Sequence, residues 1–511
     1  MAKLAEASGV VTSDVAAYGI LAAFLVVAYA VAGVVYNLYF HPLRNFPGPR
    51  LHAASKFPWA IQQTLGIQPF ETQKLHDKYG PVVRVGPNHL SYTDPRAWKD
   101  IYGHRVGGES HVAEMAKSHT FTRSLRKMPT TIASADREEH SRFRRALAHG
   151  FSDASMRQQE PLIMQYVDLL LDRLHRECSD GKKKLNMEAW YNWTTFDIVG
   201  DLVFGQSFNC LEDVANHPWI DFIFKMIKFA VLTISVTYVG LGEAVQWMYA
   251  VGGGSLKTVM KYNNDMLTKR LSMEKERQDL FEGIVQKREE WNISFEKLVS
   301  NASLLVLAGS ETTATTLSGV TYLLLAHPEA LKKLQEEVRS SFKSADEINI
   351  NSANSLTYML AALNEALRLY PPVASGLVRE VPLGGAKIAG RFVPGGTMVE
   401  VQQWSMNHSK ENWNDPWTFR PERFLDTLEE AAKAGNRLDA LQAFSVGPRN
   451  CIGRNLAYAE MRVILARLVY DFDMKLSEES TDWIKRQKVF ALWDRIPLYV
   501  SLTPVRREFA S

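Results

Sequence analysis

Cysteine is scarce in this chain and charge is nearly balanced, and each absence excludes a class of function. Among 511 residues there are three cysteines, Cys178, Cys210 and Cys451. An odd number at distant positions argues against a disulfide framework and against a zinc site of paired cysteines. Lysine and arginine number 59 against 56 aspartate and glutamate, a net charge of +3. That leaves no basis for the strongly basic face on which nucleic-acid affinity rests. No GxGxxG follows a strand and no GxxxxGK[ST] occurs; the VGGGS run at Val251 has the context of neither. HExxH and GxSxG are missing too. If such a chain does redox chemistry, its electrons arrive from another protein. With 46% hydrophobic and 23% charged residues the composition is otherwise that of a globular protein.

Charge is missing most conspicuously from Val15 to Leu43, where there is no Asp, Glu, Lys or Arg. About 20 helical residues, each rising about 1.5 Å, cross the bilayer core of about 30 Å. Tyr36 and Tyr39 fall where an aromatic interface belt would lie. The reading is one transmembrane anchor, with residues 1–40 as tail and span and 41–511 as the catalytic body. Lys3, Glu6 and Asp14 precede the span; Arg44, Arg50 and Lys56 follow it. The positive-inside tendency then places the body in the cytosol, as for a single-pass protein of the endoplasmic reticulum membrane. The sequons at Asn192, Asn292, Asn301 and Asn407 are accordingly chance matches. FPGP at Phe46 to Pro49 reads as a stiff hinge behind the anchor.

The body reads as mainly α with a minor β part. Helical spacing is expected around Pro161–Arg176, Thr194–Phe204, Lys257–Lys287, Ser294–Ala326, Glu329–Phe342, Leu356–Leu369 and Ala457–Phe472. Pro81 to Asp94 alternates like a hairpin, and Val378 to Val401 reads as short strands between Gly and Pro turns.

The chemistry concentrates in FSVGPRNCIG, Phe444 to Gly453. Its cysteine sits between glycines and just before a helical run. Loop N–H groups turned toward the sulfur, with the positive end of a helix, favour a thiolate. A thiolate so held suits iron, whose reactivity is tuned by the axial ligand and its hydrogen bonds. The pattern F-x-x-G-x-R-x-C-x-G, matched at Phe444, Gly447, Arg449, Cys451 and Gly453, resembles the cytochrome P450 superfamily of haem-thiolate monooxygenases.

The resemblance extends over residues 41–511. It implies a single P450-like catalytic domain holding haem b, with Cys451 as iron ligand and Arg449 beside a propionate. Glu365 and Arg368 form an E-x-x-R pair on one helix face, and PERF at Pro421 implies Arg423 as third member of a buried triad. Ala308–Thr313 reads AGSETT within a long helix. There Gly309 is expected to let the backbone approach a flat ligand, while Glu311 and Thr312 deliver protons. REEHSRFRRAL departs from the family's W-x-x-x-R, with His140 and Arg144 at i, i+4 facing the propionates and Arg379 a further partner.

The implied reaction inserts one oxygen atom from O2 into a small hydrophobic substrate. NADPH electrons would pass through NADPH-cytochrome P450 reductase, and Arg137, Arg142 and Arg145 are candidates for a docking face. YFHPLRNFPGP and the AGSETTATTLSGVTYLLLAHPE helix resemble enzymes of filamentous fungi, many of which tailor terpenoids and polyketides. Substrate contacts are expected around Val106–Met128, Phe222–Val239, Val373–Leu377 and Phe490–Trp493. Two other readings stay open: a haem-thiolate enzyme of rearrangement or dehydration needing no external electrons, and a non-enzymatic haem-binding membrane protein. The intact Glu311–Thr312 pair counts against the first.

Overall fold

A computed structural model describes residues 2–104, 114–118, 120–121, 129–245, 254–273 and 277–506. Helix α1 runs Ala2–Val35 and is continued by a wider turn, Tyr36–Phe40. The stretch Ala17–Phe40 is long and apolar enough to cross a membrane.

The FPGP segment is not a free hinge. Arg84 donates to Asn37 O at 3.0 Å, and its own N–H bonds Pro47 O at 2.7 Å. A Cβ on Gly48 would lie 2.5 Å from Arg84 O, so only glycine lets the linker lie this close. Leu43 and Phe46 are buried in the core of the sheet domain, and the Arg391 guanidinium stacks 3.7 Å from the Phe46 ring. The linker is therefore moored to the body from Asn37 onward.

Helices dominate the body. They include α2 (Arg137–Ala148), α3 (Asp153–Glu177), α4 (Met187–Phe204), α5 (Pro218–Tyr238), α6 (Phe295–Ala326), α7 (Pro328–Ser341), α8 (Thr357–Leu369) and α9 (Arg454–Asp471). The expected spans at Ser294, Glu329 and Leu356 are met within a residue or two. α6 starts where the Ser294 side chain accepts the Lys297 N–H. It stops at His327, before Pro328 opens α7. α3 begins eight residues before Pro161, because Ser152 caps it and Ser155, Met156 and Gln159 are buried there. The expected Lys257–Lys287 helix is broken instead. One helix ends at Leu271, and Asp279 accepts the N–H groups of Phe281 and Glu282 to start a short new one.

Strands β1 (Val82–Gly86), β2 (His89–Tyr92), β3 (Ala116–Lys117), β4 (Arg379–Glu380) and β5 (Met398–Val401) form one sheet in the order β1-β2-β5-β4-β3. Only β2 and β5 run parallel among these pairs. Hairpin Lys488–Phe490/Leu492–Asp494 forms one of the smaller sheets. The observed class, mainly α with small sheets and one N-terminal apolar helix, is the expected one. α4 is buried on nearly every face and lies along α6, with Tyr191 Oη 2.7 Å from Thr321 Oγ1. Asn192, Asn301 and Asn407 are buried, which no glycan would tolerate.

Candidate active site

The loop before α9 is shaped by its backbone. Cys451 N–H donates to Phe444 O at 2.8 Å, and Asn450 N–H to Gly447 O at 3.1 Å. Gly447 has φ +78°, and a Cβ there would lie 1.9 Å from Tyr102 O. Glycine is thus demanded twice, by backbone angle and by space. The Phe444 ring rests 5.2 Å from that of Tyr458. Arg144 of α2 grips the loop from the side, donating to Asn450 O at 2.5 Å and Asn450 Oδ1 at 2.6 Å.

Cys178 and Cys210 are buried, whereas Cys451 is exposed at its loop. Burial within the surrounding protein pushes the Cys451 thiol up, while the Gly453 N–H and the charges of Arg144 and Arg454 pull it down. A cation at the sulfur would tip that balance to thiolate.

Beside this loop the fold gathers positive charge. Arg449 pairs with Glu114 at 2.5 Å and donates to Ala135 O at 3.0 Å. Arg379, on β4, is buried and lies over the Tyr102 ring at 5.5 Å. His140 on α2 is buried and driven down to about 4, first by burial and then by Arg449, so it is neutral at pH 7. Lys117 on β3 is driven down to about 7, by burial and then by Arg379 and Arg449. Lys117, Arg379 and Arg449 thus face Glu114 as the one carboxylate named in their mutual electrostatics among the described residues, with Arg144 next to His140 and Cys451. Cations so crowded and desolvated suit a ligand that brings carboxylates of its own. Together with a free cysteine at the loop, this donor set fits haem.

Sequence reasoning singled out His140, Arg144, Arg379 and Arg449, and the structure brings all four together. It missed Lys117 and Glu114, which carry no motif and reach the site only through the sheet and the preceding loop.

Behind the loop Glu365, Arg368 and Arg423 form the expected triad, all fully buried. Glu365 Oε2 lies 2.7 Å from Arg368 Nε, and Glu365 Oε1 lies 3.2 Å from Arg423 Nε. Arg368 also donates to the carbonyls of Asn407, Pro416 and Thr418. Removing one partner strands a buried charge, at a cost of about 3–5 kcal/mol. Glu365→Gln is therefore expected to lower stability toward that range, read as a drop in the denaturant midpoint at unchanged slope.

On α6 the Thr312 hydroxyl is half-exposed and donates to Ala308 O at 2.6 Å. Gly309 makes a different contact from the expected one. A Cβ there would come 3.1 Å from a Val199 methyl, so this glycine serves the close approach of α6 to α4. Glu311 is buried and turned into an ion pair with Arg495 at 2.6 Å. Burial raises it to about 7, against the pull of Arg495 and with a push from Glu188. Of the expected substrate segments, Val106–Met128 lies largely outside the described residues. Trp493 is buried, with its Nε1 donating to Pro371 O at 2.7 Å, and belongs to the core.

Fold and site together define a haem-thiolate protein. A profile of the family described as Cytochrome P450 matches residues 49–500. The chain is 47% identical over 493 residues to cytochrome P450 monooxygenase tpeC of Talaromyces stipitatus, covering 96% of this chain and 95% of that protein. Identity to the trichothecene C-15 hydroxylase of Fusarium sporotrichioides is 44%, over 93% and 96% of the two chains. To the averantin hydroxylase of Dothistroma septosporum it is 42%, over 92% and 88%. The chain belongs to the cytochrome P450 family, in its fungal secondary-metabolism branch, and is an oxidoreductase of the monooxygenase class. The family carries haem iron.

Proposed function

We propose that this enzyme hydroxylates a small hydrophobic fungal metabolite of terpenoid or polyketide type, using O2 and NADPH electrons delivered by NADPH-cytochrome P450 reductase. The observation that carries the reading is Cys451, exposed at a loop whose backbone and flanking arginines suit an iron-bound thiolate. The haem, when bound, supplies the activation of O2.

The chain's own residues do the rest. Cys451 would ligate the iron, and Arg144, Arg379, Arg449, His140 and Lys117 would hold the propionates. Thr312 would hold a proton donor for the activation of O2, with Glu311 as its proton source. Two relatives named as hydroxylases support the reaction type, and a trichothecene hydroxylase supports a terpenoid. Arg137, Arg142 and Arg145 are exposed on α2, with Arg142 also paired to Glu138 at 2.8 Å, and form a steering face for an acidic reductase. Product analysis after co-expression with a reductase tests the reading. Product formed without NADPH would favour rearrangement instead.

The apolar helix anchors the body to the endoplasmic reticulum membrane, facing the cytosol. A second apolar contact comes from α5, whose apolar stretch 222–236 suits membrane adhesion, together with the short helix beside it. In α5, Val231, Thr233, Ser235 and Tyr238 are buried, whereas Phe57, Ile61 and Leu65 alongside it are largely exposed. They border an apolar groove of about 230 Å³ closed by Val236 and Val239. Deleting residues 1–35, which spares Asn37, is expected to leave a haem-binding body that still floats partly with liposomes. Loss of haem from a well-expressed truncation would contradict a separable anchor.

A further inference from the structure

Glu311 is not alone. Arg495, which follows the hairpin strand Leu492–Asp494, bonds Glu311 Oε2 at 2.6 Å and Asn192 Oδ1 at 2.8 Å, and lies 3.5 Å from Glu188 Oε1. Asn192 in turn donates to Glu188 Oε1 at 2.6 Å. Two carboxyls, one on α4 and one on α6, thus share one guanidinium. Three polar atoms at the inner end, Glu311 Oε1 and Arg495 Nε and Nη1, have no hydrogen-bond partner among the described residues. Buried groups of this kind are satisfied by ordered water.

Outward from them opens a cavity of about 250 Å³ lined by Asn186, Glu188, Asn192, Asn216, Asp494 and Arg495. Side-chain exposure falls along it, from 35% at Asp494 to 14% at Glu188 and 1% at Arg495, and Glu311, reached only through its bond to Arg495, is 2% exposed. The lining is polar and the volume takes several waters.

We propose that this cavity is the proton inlet of the enzyme, with Glu188 the outer acceptor and Arg495 the hinge on which protons pass to Glu311. An excess proton from bulk solvent crosses the cavity water as hydronium and is taken up by the Glu188 carboxylate, leaving neutral water behind. Glu188 passes that proton through water to Glu311, and returns to the carboxylate. Glu311 gives its proton onward at Oε1 and re-forms its pair with Arg495. The charged and titratable groups facing Glu311 are Arg495, Glu188 and, through Arg495, Tyr370; Asp494 at the mouth is held by Lys228 at 2.8 Å. Burial raises Glu188 as well as Glu311, with Arg495 opposing in both cases, which brings the two carboxyls toward the range where each can hold or release a proton.

The inference rests on Glu311 being the proton source of the proposed function, and the experiment separates the two. Glu188→Gln keeps the shape and hydrogen bonds of the site but removes the proton-holding group; Glu311→Gln is the reference. Full-length enzyme with reductase, NADPH and O2 is followed in H2O and D2O, with hydrogen peroxide assayed. Glu188→Gln is expected to slow NADPH-driven turnover several-fold, enlarge the solvent isotope effect and flatten the pH profile. The CO-difference spectrum stays as in the parent, because the haem contacts are untouched and Arg495 keeps its pair with Glu311 at 2.6 Å.

Peroxide-driven turnover, which brings its own protons, is expected to be unchanged; an equal loss there means structural damage and overturns the inlet. Infrared spectra give a readout without turnover: the band of the buried protonated Glu311 carboxyl should exchange into D2O more slowly in Glu188→Gln. Glu311→Gln impaired with Glu188→Gln normal in both assays would sink the inlet and leave Glu311 standing. If both variants behave as the parent, the role of Glu311 falls as well.

Discussion

Cys451→Ala is expected to leave a folded protein whose reduced, CO-bound form lacks the red-shifted Soret band of a thiolate-ligated haem, with monooxygenase activity lost outright. Neither other cysteine can take over. Cys178 is buried with its sulfur on His175 O, and Cys210 is buried with its thiol pushed up to about 12, first by burial and then by Asp197. Both sit in the helical core. The loop itself should survive the change, because it is tied by the Cys451 backbone N–H and by Arg144, not by the sulfur. Persistence of the thiolate band in the variant would mean that the ligand has been misassigned.

Thr312→Ala is expected to keep haem and substrate binding and to go on consuming NADPH, but to release much of the reducing power as hydrogen peroxide. The hydroxyl is anchored to Ala308 O at 2.6 Å, so its lone pairs are held in a fixed direction for a water or a ligand oxygen. Alanine keeps the helix, whose neighbours Glu311 and Thr313 are buried on other faces, and removes only that donor and acceptor. Lost positioning or general acid catalysis is worth roughly 10²–10⁴-fold in the coupled step. The measurement is product formed per NADPH consumed, with peroxide assayed in parallel. An unchanged ratio would remove Thr312 from proton delivery and give weight to another route.

What could be read beforehand was whatever is local in the chain. The cysteine loop is ten contiguous residues, and its glycine requirement at Gly447 is visible as a pattern although its cause, the Tyr102 carbonyl, is not. The triad was legible because two members share a helix turn and the third lies in a short motif. Lys117, Glu114, Glu188 and Arg495 were illegible for the converse reason: each is an ordinary charged residue until folding sets it beside a partner far along the chain. At Gly309 a glycine in a helix announces a close approach without saying to what, and Val199 on α4 becomes visible only in the fold. FPGP likewise reads as stiff, since proline fixes the chain's angle, but not as held against a neighbour.

The bonds that close the cysteine loop span the chain: Arg144 to Asn450 across 306 positions and Arg449 to Glu114 across 335. Cys451 itself follows all five strands of the sheet and α2 through α8. During synthesis the N-terminal helix, the whole five-stranded sheet and α2 through α8 leave the ribosome before the ligand exists, so cofactor capture is a late event in the life of the chain. A chain halted before Cys451 carries the scaffold but not the thiol that would grip iron.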